Sequence, residues 1–144
     1  MSIAPRHYLL VDDNPTDRLL AQEAFAELQP DCTLTCVASG LEALDFLQVA
    51  VPLPDVILLD INMPGMNGFQ LLERLKNRPE LKGIPVVMLS TSNAAEDIRQ
   101  AYTLHASSYV VKSPSFEAFM AQVEAFLGYW QATRVARPST AEQP

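Results

Sequence analysis

Acidic residues stand at the ends of apolar runs in this sequence, where carboxylates can bind metal or react with phosphate. In the stretch ILLDINMPGMNG at 57–68, the apolar run Ile57–Leu59 ends at Asp60. Asp12 and Asp13 follow the first apolar run in the same way. Carboxylates that converge repel one another, so they either take up protons or bind a cation. Ligands that are all oxygen favour Mg²⁺ or Mn²⁺ over zinc.

Hydroxyl groups and a lysine follow two further apolar runs. Ser90, Thr91 and Ser92 come after the fourth run, and Lys112 comes after the fifth. Each feature alone has an ordinary explanation: the acid pair caps a helix, the hydroxyl groups line a turn, and the lysine is a solvated charge. Since three independent strand ends agree, a single site is the better interpretation.

The apolar runs alternate with amphipathic segments, which predicts five βα units. Helix-start signals are Asn14 with Pro15, Ser39 with Glu42, Asn93 with Glu96, and Ser115. The predicted strands are Tyr8–Val11, Leu34–Val37, Val56–Leu59, Val86–Leu89 and Tyr109–Val111. The predicted helices run to about Leu28, Gln48, Asn77, Leu104 and Thr133, and the third begins at Gly68.

Short, continuously apolar strands are typical of a parallel sheet covered on both faces. We therefore predict an α/β fold with a five-stranded parallel sheet in the order 2-1-3-4-5 and helices on both faces. Ligands of such sheets bind at the carboxyl ends of the strands, at the switch point between strands one and three. Asp12, Asp13 and Asp60 are expected to converge there.

Composition narrows the possible functions. The chain has 144 residues and a net charge of −7, which fits one domain, expected at 1–133, and a polar tail at 134–144. No basic patch is found, so DNA binding is not expected. No apolar run is long enough for a membrane span and no signal peptide is found, so we expect a cytoplasmic protein. Cys32 and Cys36, four residues apart on one predicted strand, are too distant for a disulfide and are expected to be buried free thiols.

Four motifs together resemble the receiver domain of two-component response regulators. They are VDDN at 11–14, LLDINMPGMNG at 58–68, LSTS at 89–92 and YVVKS at 109–113, and the resemblance covers about 6–127. It implies a flavodoxin-like receiver fold and a single-domain regulator in a phosphorelay. Such a regulator accepts a phosphoryl group from a sensor histidine kinase and signals by a conformational change. Beyond self-catalysed phosphorylation and dephosphorylation, it is not an enzyme.

The resemblance also implies roles for individual residues. Asp60 would be the phosphoacceptor, with Ser90 and Lys112 binding the phosphoryl group. Tyr109 would be an aromatic switch that moves with Ser90. The implied ligands of Mg²⁺ (or Mn²⁺) are Asp12, Asp13, Asp60 and the backbone carbonyl of Asn62.

Two features set this sequence apart within the resemblance. Ser113 stands between Lys112 and Pro114, where the family usually has proline directly after the lysine, often with a cis bond. A cis bond before a residue other than proline costs about 2.5–4 kcal/mol, which leaves the shape of this loop open. The runs LKGIPVVMLSTS at 81–92, EDI at 96–98 and AYTLHASSYVVKS at 101–113, with the late Trp130, resemble the small regulators paired with bacterial phytochromes. Tyr129 and Trp130 lie near the end of the last predicted helix. Either these aromatic residues support a homodimer through the last helices, or they cover the domain's own edge.

Three other functions are compatible with parts of the pattern. A flavodoxin-type flavin binder would need a phosphate-binding loop where Asp12 and Asp13 stand. A Mg²⁺-dependent phosphohydrolase would need a second acid at position 14, which is Asn14. A pseudo-receiver that never takes phosphate is disfavoured by the intact acidic set and Lys112.

Overall fold

The computed structural model describes residues 2–113 and 115–136. Seven strands and five helices follow one another in these ranges. The strands are β1 (Ser2–Ile3), β2 (His7–Val11), β3 (Thr33–Val37), β4 (Val56–Asp60), β5 (Val86–Ser90), β6 (Ser108–Val111) and β7 (Val135–Ala136). The helices are α1 (Pro15–Leu28), α2 (Gly40–Val49), α3 (Gly68–Lys76), α4 (Ala95–Thr103) and α5 (Phe116–Ala132).

The main sheet is parallel, with the strand order β3-β2-β4-β5-β6. In terms of the five predicted strands this is 2-1-3-4-5, so the predicted topology is confirmed. β4 pairs with β2 on one side and β5 on the other, and all five of its residues are buried. Asp60 is therefore the last residue of a fully enclosed strand.

Successive residues of each strand face opposite layers of helices. Ile57 and Leu59 of β4 pack in the core formed with α2, α3 and α4. Val56 and Leu58 pack in the second core, formed with α1 and α5. Because side chains alternate along a strand, Asp60 continues the row that faces α1 and α5.

The helices begin at side chains that accept backbone hydrogen bonds, mostly where the sequence predicts. Asn14 Oδ1 accepts from the backbone N–H groups of Thr16 and Asp17, and Pro15 is the first residue of α1. Ser39 Oγ accepts from the Glu42 backbone N–H at the start of α2. A reciprocal capping box appears instead at α3, between the two residues Asn67 and Gln70.

The predicted start of α4 is wrong. Asn93 does not cap this helix, which begins at Ala95 with no capping side chain on Ala94. Ser92 acts one residue earlier, since its Oγ accepts from the Ala94 backbone N–H and donates to Asp97 Oδ2 at 2.7 Å. The hydroxyl group therefore fixes this loop to the first turn of α4.

The two ends of the described chain meet in a short antiparallel ladder of β1 and β7, which the sequence did not predict. Val135 is buried, although it lies in the segment expected to be a polar tail. Trp130 is also buried, 6% exposed, whereas Tyr129 beside it is 64% exposed. Trp130 therefore covers the domain's own edge. Residues 137–144 of the expected tail lie outside the described residues.

Cys32 and Cys36 are free, as predicted, but they are half-buried: Cys36 lies on the edge strand β3 and Cys32 directly precedes it. Within 2–113 and 115–136, none of the helices has the length and apolar character needed to cross a bilayer.

Candidate functional site

Three carboxylates meet at the carboxyl ends of β2 and β4. Asp12, Asp13 and Asp60 each offer an oxygen within 4.8 Å of the others. Asp12 and Asp60 are buried, whereas Asp13 is exposed. Adjacent parallel strands end at the same edge of the sheet, which is why residues so far apart in sequence converge. A set of carboxylate oxygens with one side open to solvent suits a hard divalent cation.

The environment of Asp60 disfavours its charged form. Burial raises the pKa of this carboxyl from 3.8 to about 7, and the nearby charges of Asp12 and Asp13 act in the same direction. The positive charge of Lys112 opposes them and lowers the pKa. In the absence of a cation, ionised Asp60 is therefore a destabilised group that gains from added positive charge.

Lys112 reaches the acidic cluster from the far side of the sheet. Its backbone N–H donates to the carbonyl oxygen of Ser90 at 2.7 Å, which aligns the chain beyond β6 with the end of β5. The side chain then spans two strands, so that Nζ lies 2.7 Å from Asp12 Oδ2 and 3.7 Å from Asp60 Oδ1. Lys112 therefore lies at the same site as the acidic residues, as the pattern of strand ends predicts.

A fourth carboxylate, Asp17 of α1, also accepts a hydrogen bond from Lys112, at 2.9 Å. Burial by itself lowers the pKa of Lys112, but the hydrogen bonds to Asp12 and Asp17 outweigh it and raise the pKa. Sequence reasoning missed Asp17. Its position four residues after Asp13, in the first turn of a helix that starts at the site, was the available signal.

Ser90 and Tyr109 are both tied to Ser92. Ser90 is completely buried, and it directly follows Leu89, which pairs with Asp60. Its Oγ accepts from the Ser92 backbone N–H at 3.0 Å. The Tyr109 hydroxyl donates to the Ser92 carbonyl oxygen at 2.9 Å. A movement of the Ser90 hydroxyl would therefore break a bond to the same residue that holds the Tyr109 ring.

Gln122 of α5, a second residue that sequence reasoning missed, holds the loop after Lys112. Its Oε1 accepts from the Ser113 backbone N–H at 3.0 Å, and its Nε2 donates to the Val111 carbonyl oxygen at 2.6 Å. Among the described residues the cis peptide bond is Val51–Pro52, so the Lys112–Ser113 bond is trans. Pro114 lies outside the described residues.

The loop after Asp60 turns sharply back toward α3. Asn62 is exposed two residues beyond Asp60, and Gly65 has a φ of 74°, which glycine adopts without strain. The Gly68 backbone N–H donates to the Ile61 carbonyl oxygen at 2.8 Å. A Cβ on Gly68 would overlap the Asp60 carbonyl oxygen and lie 2.7 Å from the Ile61 Cα. The start of α3 therefore packs directly on the backbone that presents Asp60.

Known proteins share this sequence pattern and fold. The family model of the response regulator receiver domain matches residues 8–124. The response regulator Rcp1 of Synechocystis is 36% identical over 134 residues, which covers 90% of this chain and 91% of Rcp1. Two solved structures are similarly close, each 36% identical and covering 94% of this chain and 100% of the other. They are the phosphorylated cyanobacterial phytochrome response regulator RcpA, with a TM-score of 0.85, and the Mn²⁺-bound form of Rcp1, with 0.83.

Proposed function

The chain belongs to the response regulator receiver family, and from this membership we propose that Asp60 is the residue that accepts the phosphoryl group. Members of this family are signalling proteins of two-component systems that receive phosphoryl groups from sensor histidine kinases; they are not classical enzymes. The observation that carries the proposal is the position of Asp60. It ends the central strand beside two other carboxylates, with the Lys112 ammonium 3.7 Å from its Oδ1.

In the proposed reaction, a carboxylate oxygen of Asp60 attacks the phosphorus atom of a phosphohistidine. The new P–O bond forms as the P–N bond breaks, and the electron pair of that bond stays on the imidazole. The product is an acyl phosphate. Such transfers depend on position and on charge neutralisation more than on proton transfer. We also propose that water hydrolyses the acyl phosphate within the same site.

A divalent metal binds at the acidic pocket of receiver domains, and Mn²⁺ is bound in the Rcp1 structure. For this chain we propose Mg²⁺, held by Asp12, Asp13, Asp60 and the carbonyl oxygen of Asn62. The three carboxylates fit such an ion because their oxygens lie within 4.8 Å of one another. The ion would supply positive charge to the phosphoryl oxygens.

The remaining residues of the site would bind the product and transmit its presence. We propose that Lys112 pairs with the phosphoryl group and that the Ser90 hydroxyl turns to donate to it. Ser90 would then give up its bond with the Ser92 N–H, and Tyr109 would change rotamer as its own contact to Ser92 shifts. The added charge, about −1.5 to −2, is large enough to drive such a change.

We further propose that the kinase partner is a phytochrome and that the protein acts in the cytoplasm. The support is the similarity to RcpA, which is described as a phytochrome response regulator. A homodimer through the last helices stays a prediction. Tyr129, 64% exposed on α5, is the residue that would test it.

The phosphoacceptor is tested by incubating the protein with Mg²⁺ and acetyl phosphate and measuring its intact mass. We expect one added phosphoryl group on the wild type and none on Asp60→Asn. Asp45→Asn removes an exposed acid on α2 and should label like the wild type. Equal labelling of Asp60→Asn would place the acceptor elsewhere. A wild type that stays unlabelled, both here and with a phytochrome kinase, would refute the proposal.

A further inference from the structure

The ammonium group of Lys112 is shared unequally among three carboxylates. It has three N–H donors, and two of them go to Asp12 at 2.7 Å and Asp17 at 2.9 Å. Asp60 Oδ1 is farther away, at 3.7 Å. We propose that Asp17 is a positioning residue: it holds Lys112 back from Asp60 in the unphosphorylated protein and releases it when Asp60 carries a phosphoryl group. The proposal rests on the proposed function of Asp60 and Lys112.

Of the two carboxylates that accept hydrogen bonds from Lys112, Asp17 is the one that can lose its bond at lower cost. The Asp12 side chain is 1% exposed, and its Oδ1 also accepts from the Asn14 backbone N–H at 2.9 Å. In the metal-free protein, a buried charge would lose its partner if Lys112 left Asp12, which is strongly destabilising. The Asp17 side chain is 28% exposed. Water can therefore replace Lys112 at Asp17.

A phosphoryl group on Asp60 would provide the driving force for this exchange. It adds about −1.5 to −2 charges and three acceptor oxygens. The Lys112 side chain is 9% exposed and has little access to other partners. Nζ lies 3.7 Å from Asp60 Oδ1, about 1 Å beyond hydrogen-bond distance, so it already stands beside the carboxylate that would carry the phosphoryl group. A flexible lysine side chain can make the remaining movement, and in our proposal its bond to Asp17 is the one that is given up.

It follows that Asp17 opposes the phosphorylated state. One N–H of Lys112 is not used by Asp12 or Asp17, but the attraction of the Asp17 carboxylate still has to weaken before the whole ammonium group moves toward the phosphoryl group. Removal of the Asp17 charge should therefore favour binding of a phosphoryl group. A partly exposed, charge-assisted hydrogen bond corresponds to about a three- to tenfold change in that equilibrium.

Beryllofluoride, which mimics a phosphoryl group on a carboxylate, gives a direct test on the full chain. Calorimetric titration in the presence of Mg²⁺ should give an apparent Kd for Asp17→Asn about three- to tenfold lower than that of the wild type. Glu23→Gln is the matched control, because it removes one exposed charge from the same helix, and its Kd should be unchanged. Asp17→Glu retains the charge and an acceptor, so its Kd should stay near the wild-type value.

A double-mutant cycle with Lys112→Met separates competition for Lys112 from a general effect of charge. In the Lys112→Met background, Asp17→Asn should no longer change the Kd. If the effect persists there, or if Asp17→Asn binds as weakly as the wild type or more weakly, the competition model is overturned. Failure of the wild type to bind beryllofluoride at all would instead overturn the proposed function of the site.

Discussion

Replacement of Asp60 by asparagine should stabilise the metal-free protein at neutral and alkaline pH, although it removes the proposed reactive group. Ionised Asp60 is buried beside Asp12 and Asp13, and only the Lys112 charge acts in its favour. Asparagine has nearly the same shape but no charge. The variant should therefore keep the packing of β4 and lose the repulsion.

The magnitude follows from the raised pKa. A value of about 7 against the ordinary 3.8 corresponds to about 4 kcal/mol, at about 1.4 kcal/mol per pH unit. This is an upper bound, because water and mobile charges reduce the repulsion at a site open on one side. We expect Asp60→Asn to raise the free energy of unfolding by about 2 kcal/mol at about pH 8.

The pH dependence of stability is a second test of whether ionised Asp60 destabilises the fold. Because the pKa of Asp60 is higher in the folded than in the unfolded state, the folded protein binds more protons between about pH 4 and 7. The wild type should therefore lose stability as the pH rises through this window. At about pH 5 the advantage of Asp60→Asn should fall to less than half of its value at about pH 8.

Urea denaturation followed by circular dichroism, with a chelator present, measures these differences. Asp45→Asn is the control for loss of an exposed charge and should change the free energy of unfolding by less than about 0.5 kcal/mol. Addition of Mg²⁺ should stabilise the wild type and have a much smaller effect on Asp60→Asn. The reasoning would be refuted if Asp60→Asn were less stable than the wild type at about pH 8. It would also be refuted if the difference in free energy of unfolding between the two proteins did not change with pH.

Three further predictions concern residues that support the site. Gly68→Ala should destabilise the fold by about 1–3 kcal/mol, because its Cβ would overlap the Asp60 carbonyl; Gly83→Ala, which meets open space, is the control in urea denaturation. Gln122→Ala should lower the free energy of unfolding by about 1–2 kcal/mol, because the loop after Lys112 loses two hydrogen bonds. It should also slow labelling by acetyl phosphate, and an unchanged labelling rate would contradict this. Trp130→Ala should lower the free energy of unfolding by about 3–5 kcal/mol, whereas Tyr129→Ala should leave it nearly unchanged. If Tyr129→Ala has a lower mass than the wild type in sedimentation, Tyr129 is part of a dimer contact.

The parts of the fold that could be predicted depend on local sequence. The strand order and the convergence of Asp12, Asp13 and Asp60 follow from apolar runs, turn residues and the regular geometry of parallel sheets. The start of α1 follows from Asn14 and Pro15 for the same reason. These features depend on residues that are close together in the chain, so they can be recognised in a single sequence.

The features that were missed depend on contacts between distant residues. Gln122 bonds to backbone groups about ten residues away, across a loop whose shape the sequence does not specify. Asp17 meets Lys112 only once α1 has packed against the sheet. The pairing of β1 with β7 joins the two ends of the described chain. The prediction of the start of α4 failed for a different reason: the hydroxyl group of Ser92, rather than the Asn93 side chain, bonds to Asp97 and to the Ala94 N–H, and the helix begins later, at Ala95.

The alternation of side chains along the strands has a consequence for how such a protein can diversify. Asp60 continues the row of Val56 and Leu58 that faces α1 and α5, whereas Tyr109 packs with the opposite core, beside α4. The proposed phosphoacceptor and the proposed switch residue therefore belong to opposite faces of one sheet. Because the two cores are separate, the packing on one face can change by substitution while the packing on the other is retained.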